Sequence, residues 1–255
     1  SDVIKAIRRA KANDNIKGIY LEAGSLSTGF AGIEAIRREL EDFKDSGKFI
    51  VSYGDYYTQG AYYLCSVADS VFLNPQGSVS LVGLASQGLF FTGLAEKIGV
   101  EHYIFKVGTY KSAVEPFFLK KFSDANREQL GQLVHSMWSV IAGDVAESRG
   151  LTIEMLDEYA DELSAIQPED ALAKGMVDGL KYEDEMNDLF AEAGVEADGN
   201  GQYRFVLLGR YAAQVGPDVR HMGADRVAVL YADGQIVDGE GYDAVSVSYT
   251  HLTLP

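Results

Sequence analysis

Apolar residues follow two different spacings along the chain. Spacings of three and four residues, typical of amphipathic helices, occur in residues 2–14, 29–47, 58–69 and 123–148. Short apolar runs lie between these segments and predict buried strands: NIKGIYLEAG (15–24), KFIVSYGD (48–55) and SVFLNP (70–75). Strands that alternate with helices in this way predict an α/β fold with a parallel sheet.

Residues at the ends of these segments predict where the elements begin and stop. Asp2 is a predicted N-cap of the first helix, Gly47 is predicted to end the second, and Ser123 begins the long helix with a partial capping box. Pro75 is predicted to stop the third strand. A further run, VEHYIFKVGTY (100–110), predicts another strand that leads into a lysine-containing loop.

The later part of the chain changes character. Two short helices are predicted up to residue 180, and residues 181–225 are acidic and polar, typical of a final helix and a connector. RVAVLYADGQIVDG then predicts a new buried strand. We therefore divide the chain into a first unit (1–180), a helix and connector (181–225), and the start of a second unit (226–246).

Both ends of the chain are unusual. It opens at Ser1 inside a helical pattern, so we expect an earlier segment to be missing. The ending SYTHLTLP matches the translation of a common sequencing adapter, and we expect residues 247–255 to be adapter rather than protein. The second unit would then be truncated.

Composition excludes several classes of function. Acidic residues outnumber basic ones by 38 to 22, which gives a formal net charge of −16 and argues against binding to nucleic acid. The single cysteine, Cys65, excludes an internal disulfide. The four histidines have no metal-site spacing, so no metal is expected. His135 and Ser136 are adjacent on a helix and diverge by about 100°, so they are not a catalytic pair.

Lys111 is the candidate for chemistry, because it lies in the apolar stretch VGTYKSAVEPF (107–117). Burial in apolar surroundings lowers the pKa of an amine and allows it to act as a general base. The neighbours that could desolvate it are Val107, Tyr110, Ala113, Val114 and Phe117, and Thr109 and Ser112 could orient it. The local sequence alone favours a lysine that extends from a strand end into solvent. Glu115 and Pro116 are predicted to end the lysine strand.

Three motifs in order, QGAYY (59–63), NPQGSV (74–79) and KVGTYKSAVEPF (106–117), resemble the first repeat of the long, two-repeat form of the signal peptide peptidase A family. The resemblance implies a ClpP/crotonase-like α/β fold with repeated strand-strand-helix turns. It also implies a Ser-Lys dyad, with Lys111 as general base and the nucleophilic serine in the second repeat. The nucleophile position of the first repeat holds Gln59, which has no ionisable hydroxyl. Substrate-groove candidates are Gly60, Asn74, Gly77 and Ser78.

The same resemblance implies a serine endopeptidase that degrades signal peptides left in the membrane. It implies a homotetramer, no metal or cofactor, and anchoring in the bacterial cytoplasmic (inner) membrane by a helix ahead of Ser1, with the catalytic domain on the periplasmic side. In a chain without the second repeat, the Lys111 pocket is expected to be open and the fragment inactive. The alternatives are a crotonase-type acyl-CoA hydratase or isomerase, which would use carboxylates as acid and base, and a non-catalytic assembly module.

Overall fold

A computed structural model of the chain describes residues 2–22, 24, 26–197, 203–214, 235–237 and 246–248. Its main sheet has four strands in the order β1-β2-β3-β4, and every neighbouring pair is parallel. The strands are β1 Gly18–Glu22, β2 Phe49–Tyr57, β3 Ser70–Val79 and β4 Gly179–Leu180. The predicted α/β class with a parallel sheet is confirmed, and the first three strands coincide with the three predicted apolar runs.

The helices occur largely where helical spacing predicts them. They are α1 Asp2–Lys11, α2 Phe30–Lys44, α3 Gln59–Cys65, α4 Thr92–Ile98, α5 Asp124–Arg149, α6 Ile153–Asp161, α7 Pro168–Ala173, α8 Met186–Glu192 and α9 Leu208–Gln214. Asp2 lies in the first turn of α1 rather than at the predicted N-cap. A negative charge in the first turn is also favoured by the helix dipole. Among the described residues, none of the helices is both long and apolar enough to cross a bilayer.

Both faces of the sheet are covered by helices. On one face, Ile50 and Val71 join a large buried cluster with residues from α1, α2, α3, α5, α6 and α7. On the other face, their sequence neighbours Val51 and Phe72 pack against Phe190 of α8. Adjacent strand residues point to opposite faces, and a parallel sheet is ordinarily buried on both, which explains the continuous apolar runs of the sequence.

β3 continues past Pro75, where the sequence predicted that it would stop. Its pairing with β2 is interrupted between Leu73 and Ser78 by a register shift. Proline has no N–H for a ladder bond, so it is accommodated at such an irregularity. A Cβ at Gly77 would overlap the backbone carbonyl oxygen of Asp55, so only glycine allows the strands to approach this closely.

Residues 100–110, predicted as a strand, form no regular secondary structure. Its large side chains Tyr103, Phe105 and Val107 are 82%, 93% and 91% exposed. A strand needs a neighbour to hydrogen-bond its backbone. None of the described strands pairs with this segment, which accounts for the wrong prediction.

The chain divides into two compact units, Ser1–Val215 and Gly216–Pro255. In the second unit, β5 Gln235–Val237 and β6 Ser246–Ser248 pair in parallel. The first part of the predicted strand at 226–239 and most of the proposed adapter tail lie outside the described residues. The division into repeats therefore stays a prediction.

Candidate active site: the lysine loop and the head of helix α3

Lys111 lies in an irregular loop between α4 and α5. Gly108, with a φ of +98°, turns the chain, and the Lys111 N–H donates to the Gly108 carbonyl at 3.4 Å. The Lys111 side chain is exposed. Within the described part of the chain its amine has no hydrogen-bond or ion-pair partner, so Thr109 and Ser112 do not orient it as predicted.

The apolar neighbours of Lys111 do not bury its amine in this chain. Val107, Tyr110 and Ala113 are exposed, Phe117 is more than one third exposed, and Val114 is half-buried. The desolvation of Lys111 that its local sequence suggests is therefore not provided by these five neighbours within the described residues.

Glu115, four residues after Lys111, is fully buried. One of its carboxylate oxygens accepts a hydrogen bond from the Ser123 hydroxyl. The other accepts from the Ser123 N–H at 3.2 Å and from Asn126 Nδ2 at 2.9 Å. Ser123 is the N-cap of α5, and its Oγ also accepts from the Asn126 N–H. Glu115 thus connects the lysine loop to the start of the long helix.

These hydrogen bonds keep the buried carboxylate charged. Burial by itself raises the pKa of Glu115, but the hydrogen bonds from Ser123 and Asn126 outweigh it, and the net pKa is lowered. The prediction that Glu115 and Pro116 end a strand is wrong, because residues Glu115–Phe117 form a short 3-10 turn.

Gln59 occupies the head of α3, directly after the N-cap Thr58. Its Nε2 donates to the carbonyl of Gly83 at 3.0 Å, and its Oε1 accepts from the N–H of Val82 at 3.0 Å. The amide therefore binds the loop that follows β3. This position holds a hydrogen-bonded carboxamide with no hydroxyl or thiol, so it cannot supply a nucleophile.

The two tyrosines of α3, Tyr62 and Tyr63, are buried in the core. Tyr62 is fully buried and donates to the Met176 carbonyl at 2.7 Å, and Tyr63 donates to Asp144 Oδ2 at 2.6 Å. Burial raises the pKa of both phenols. Cys65 is buried too, which raises the pKa of its thiol to about 11. These groups stay protonated at neutral pH and support the helix.

The proposed groove residues fall into two places. Asn74 Nδ2 donates to Tyr53 Oη at 3.1 Å and to Asp55 Oδ1 at 2.7 Å, which puts it beside Gly77 at the irregular end of β3. Ser78 pairs with β2 there, whereas Gly60 faces α2 near Ile33. In the described part of the chain, no hydrogen bond or ion pair joins any of them to Lys111.

Sequence reasoning overlooked Arg37 and Glu115. Arg37 is fully buried and donates to Ser66 Oγ at 2.9 Å and to the Asp144 carbonyl at 2.8 Å, which joins α2, α3 and α5. The sequence could have indicated that Arg37 is buried, because it lies between Ile33 and Leu40 on the apolar face of α2. No group of three acidic, histidine or cysteine residues suited to a metal occurs among the described residues.

Comparison with known proteins gives a consistent family relationship. A family model described as Peptidase family S49 matches residues 42–196. Protease 4 of Haemophilus influenzae is 30% identical over 252 residues, which cover 94% of this chain and 40% of that protein. Protease 4 of Salmonella typhi is 32% identical over 247 residues, covering 94% and 39%. The chain thus spans about two fifths of the length of these relatives.

Solved structures show only distant likeness. The 1510-N membrane-bound stomatin-specific protease, in a mutant form, has a TM-score of 0.41 at 13% identity, covering 81% of this chain and 84% of that chain. An enoyl-CoA hydratase/isomerase family protein from Silicibacter pomeroyi has a TM-score of 0.25 at 12% identity, covering 63% and 83%. With scores this low, the α/β class rests on the four parallel strands themselves.

Proposed function

The chain belongs to peptidase family S49, and we propose that it is the N-terminal half of a membrane-associated serine endopeptidase that degrades cleaved signal peptides. In this proposal Lys111 is the general base, and the nucleophilic serine is supplied by a second repeat. The observation that supports the proposal is that this chain has the lysine but no hydroxyl at the nucleophile position of the family motif. Its lysine amine is exposed, while its nucleophile position is filled by the hydrogen-bonded amide of Gln59.

The proposed chemistry needs a neutral amine. The second repeat would cover Val107, Tyr110 and Phe117, remove water from Lys111 and so favour its uncharged form. That amine would take the proton from the serine hydroxyl as the oxygen attacks the scissile carbonyl. The resulting ammonium would return the proton to the leaving amine, and water would then release the acyl group.

The proposal extends to the assembled protein. It would form a homotetramer in the bacterial cytoplasmic membrane, held by an N-terminal anchor, with the site on the periplasmic side. Supporting this, the family match covers both motifs around Gln59 and Lys111. The long relatives also leave room for a second repeat.

Substitution of Lys111 in a chain that carries both repeats tests the proposal. We expect Lys111→Ala to lower kcat/KM for an apolar peptide substrate by about 10²–10⁴-fold, the usual contribution of a general base. Lys121→Ala is the matched control, because Lys121 is also exposed and lies ten positions further along the chain. Unchanged hydrolysis in Lys111→Ala would remove Lys111 from the mechanism.

A further inference from the structure

We propose that Glu115 is a positioning residue, which fixes the loop bearing Lys111 to the N-terminus of α5. The inference rests on the proposed function for its catalytic consequence, but its structural part stands on contacts within this chain. Glu115 is fully buried, and its two carboxylate oxygens accept three hydrogen bonds from Ser123 and Asn126. Together these bonds hold Glu115 rigidly against the start of α5, because each donor restricts a different direction of movement.

Backbone hydrogen bonds connect Glu115 to the part of the loop that carries Lys111. The Glu115 N–H donates to the Ser112 carbonyl at 3.0 Å, one residue after Lys111. The Glu115 carbonyl accepts from the N–H groups of Phe118 and Leu119 at 3.1 and 2.9 Å, which closes the turn on its other side. Glu115 therefore holds the chain both before and after itself.

The residues that donate to Glu115 are fixed to the core through α5. Ser123 and Asn126 belong to the first turn of α5, and the far half of this helix buries Ile141 and Val145 in the main cluster. A carboxylate at a helix N-terminus is also favoured by the helix dipole. Placement of Lys111 is thus connected, through Glu115 and α5, to the helices that cover the sheet.

Two measurements test this role. In the present chain, hydrogen exchange of the 112–119 amides should become faster in Glu115→Ala, and less so in Glu115→Gln, which keeps the shape of the side chain. In a chain with both repeats, Glu115→Ala should lower kcat by about 100-fold with KM nearly unchanged, since small misplacement of a catalytic group has this cost. Glu115→Gln should recover most of kcat.

A pair of N-cap variants separates positioning from general stability. Ser123 and Thr152 both accept a hydrogen bond at 3.2 Å from the N–H three residues later, but only Ser123 touches Glu115. Ser123→Ala and Thr152→Ala should both lower the melting temperature through the lost cap, and Ser123→Ala somewhat more because it also loses the bond to Glu115. Only Ser123→Ala should speed loop exchange and lower kcat. This pair also decides the matter if Glu115→Ala does not fold.

The outcomes distinguish this inference from the proposed function. Normal kcat in folded Glu115→Ala, beside an inactive Lys111→Ala, would overturn the positioning role and leave the proposed function intact. Activity that survives Lys111→Ala would defeat the proposed function. In that case, hydrogen exchange of the 112–119 amides tests whether Glu115 holds the loop. Faster exchange in Glu115→Ala supports this structural role, and unchanged exchange overturns it.

Discussion

At the residue scale, Arg37 shows how a charge can be placed inside this core. It has no solvent-exposed surface, yet it donates to the carbonyls of Tyr63 and Asp144 and to the hydroxyls of Ser66 and Ser148. A buried charge is tolerated only when such partners replace water. Arg37 therefore fixes α3, whose head carries Gln59, against α2 and α5.

Replacing Arg37 by alanine should destabilise the protein by about 3–5 kcal/mol, because the partners of a buried charged group are left unpaired. Lys5 is the control, since its side chain is 60% exposed and pairs at 3.5 Å with the exposed Asp2. Lys5→Ala should cost only about 0–1 kcal/mol. Urea unfolding of both variants measures the difference, and equal losses would contradict the role given to Arg37.

At the element scale, a pair of charges ties the end of α5 to the sheet. Arg149 donates to both carboxylate oxygens of Asp178 at 2.9 and 2.7 Å, just before β4. Asp178 also accepts from the N–H of Val71 in β3 at 2.7 Å. Burial raises the pKa of Asp178, but the bonds from Arg149 and Val71 outweigh it, and the net pKa is lowered.

The lowered pKa predicts how this tie depends on pH. A carboxyl whose pKa is lower in the folded than in the unfolded state stabilises the fold above the unfolded value of about 3.9, and this contribution is lost as the pH falls through the folded value. The cost of Asp178→Asn in unfolding free energy should therefore shrink between pH 7 and pH 3. This change in the unfolding free energy should be modest, because the Asp178 side chain is 38% exposed.

Asp161→Asn is the control for this titration. Asp161 is exposed at the end of α6 and has no side-chain partner in the described ranges. Its cost in unfolding free energy at pH 7 should be small, because the substitution removes no contact. A cost for Asp178→Asn that does not shrink at low pH would show that the bonds to Arg149 do not stabilise the folded state.

The elements also show which parts of the structure sequence can predict. β1, β2 and β3 were predictable because their apolar runs pack against residues on both faces of the sheet, a pattern that each strand carries in its own sequence. The segment 100–110 is as apolar as a strand, but pairing depends on a partner that local sequence does not reveal. The partners of Glu115 were missed for the same reason, since they lie on another element, whereas the position of Arg37 on the apolar face of α2 was visible in the sequence. Gln59 was identified because the family resemblance marks its position, and its lack of a hydroxyl is a property of that one residue.

At the scale of the whole molecule, the two halves of the candidate site are held separately. The Lys111 loop is connected to α5 through Glu115, and the head of α3 is closed onto residues 82–83 by Gln59. Among the described residues, no hydrogen bond joins the Lys111 amine to a serine or threonine hydroxyl. The chain spans about two fifths of the length of its long relatives.

This separation predicts that restoring a hydroxyl does not restore catalysis. The present chain should show no hydrolysis of an apolar peptide ester, and Gln59→Ser should show none either, because no contact among the described residues brings Lys111 to the head of α3. The variant should lose stability by about 1 kcal/mol for each bond to residues 82–83. A two-repeat chain serves as the positive control. Hydrolysis by Gln59→Ser that disappears on adding Lys111→Ala would prove that one repeat can build the dyad alone.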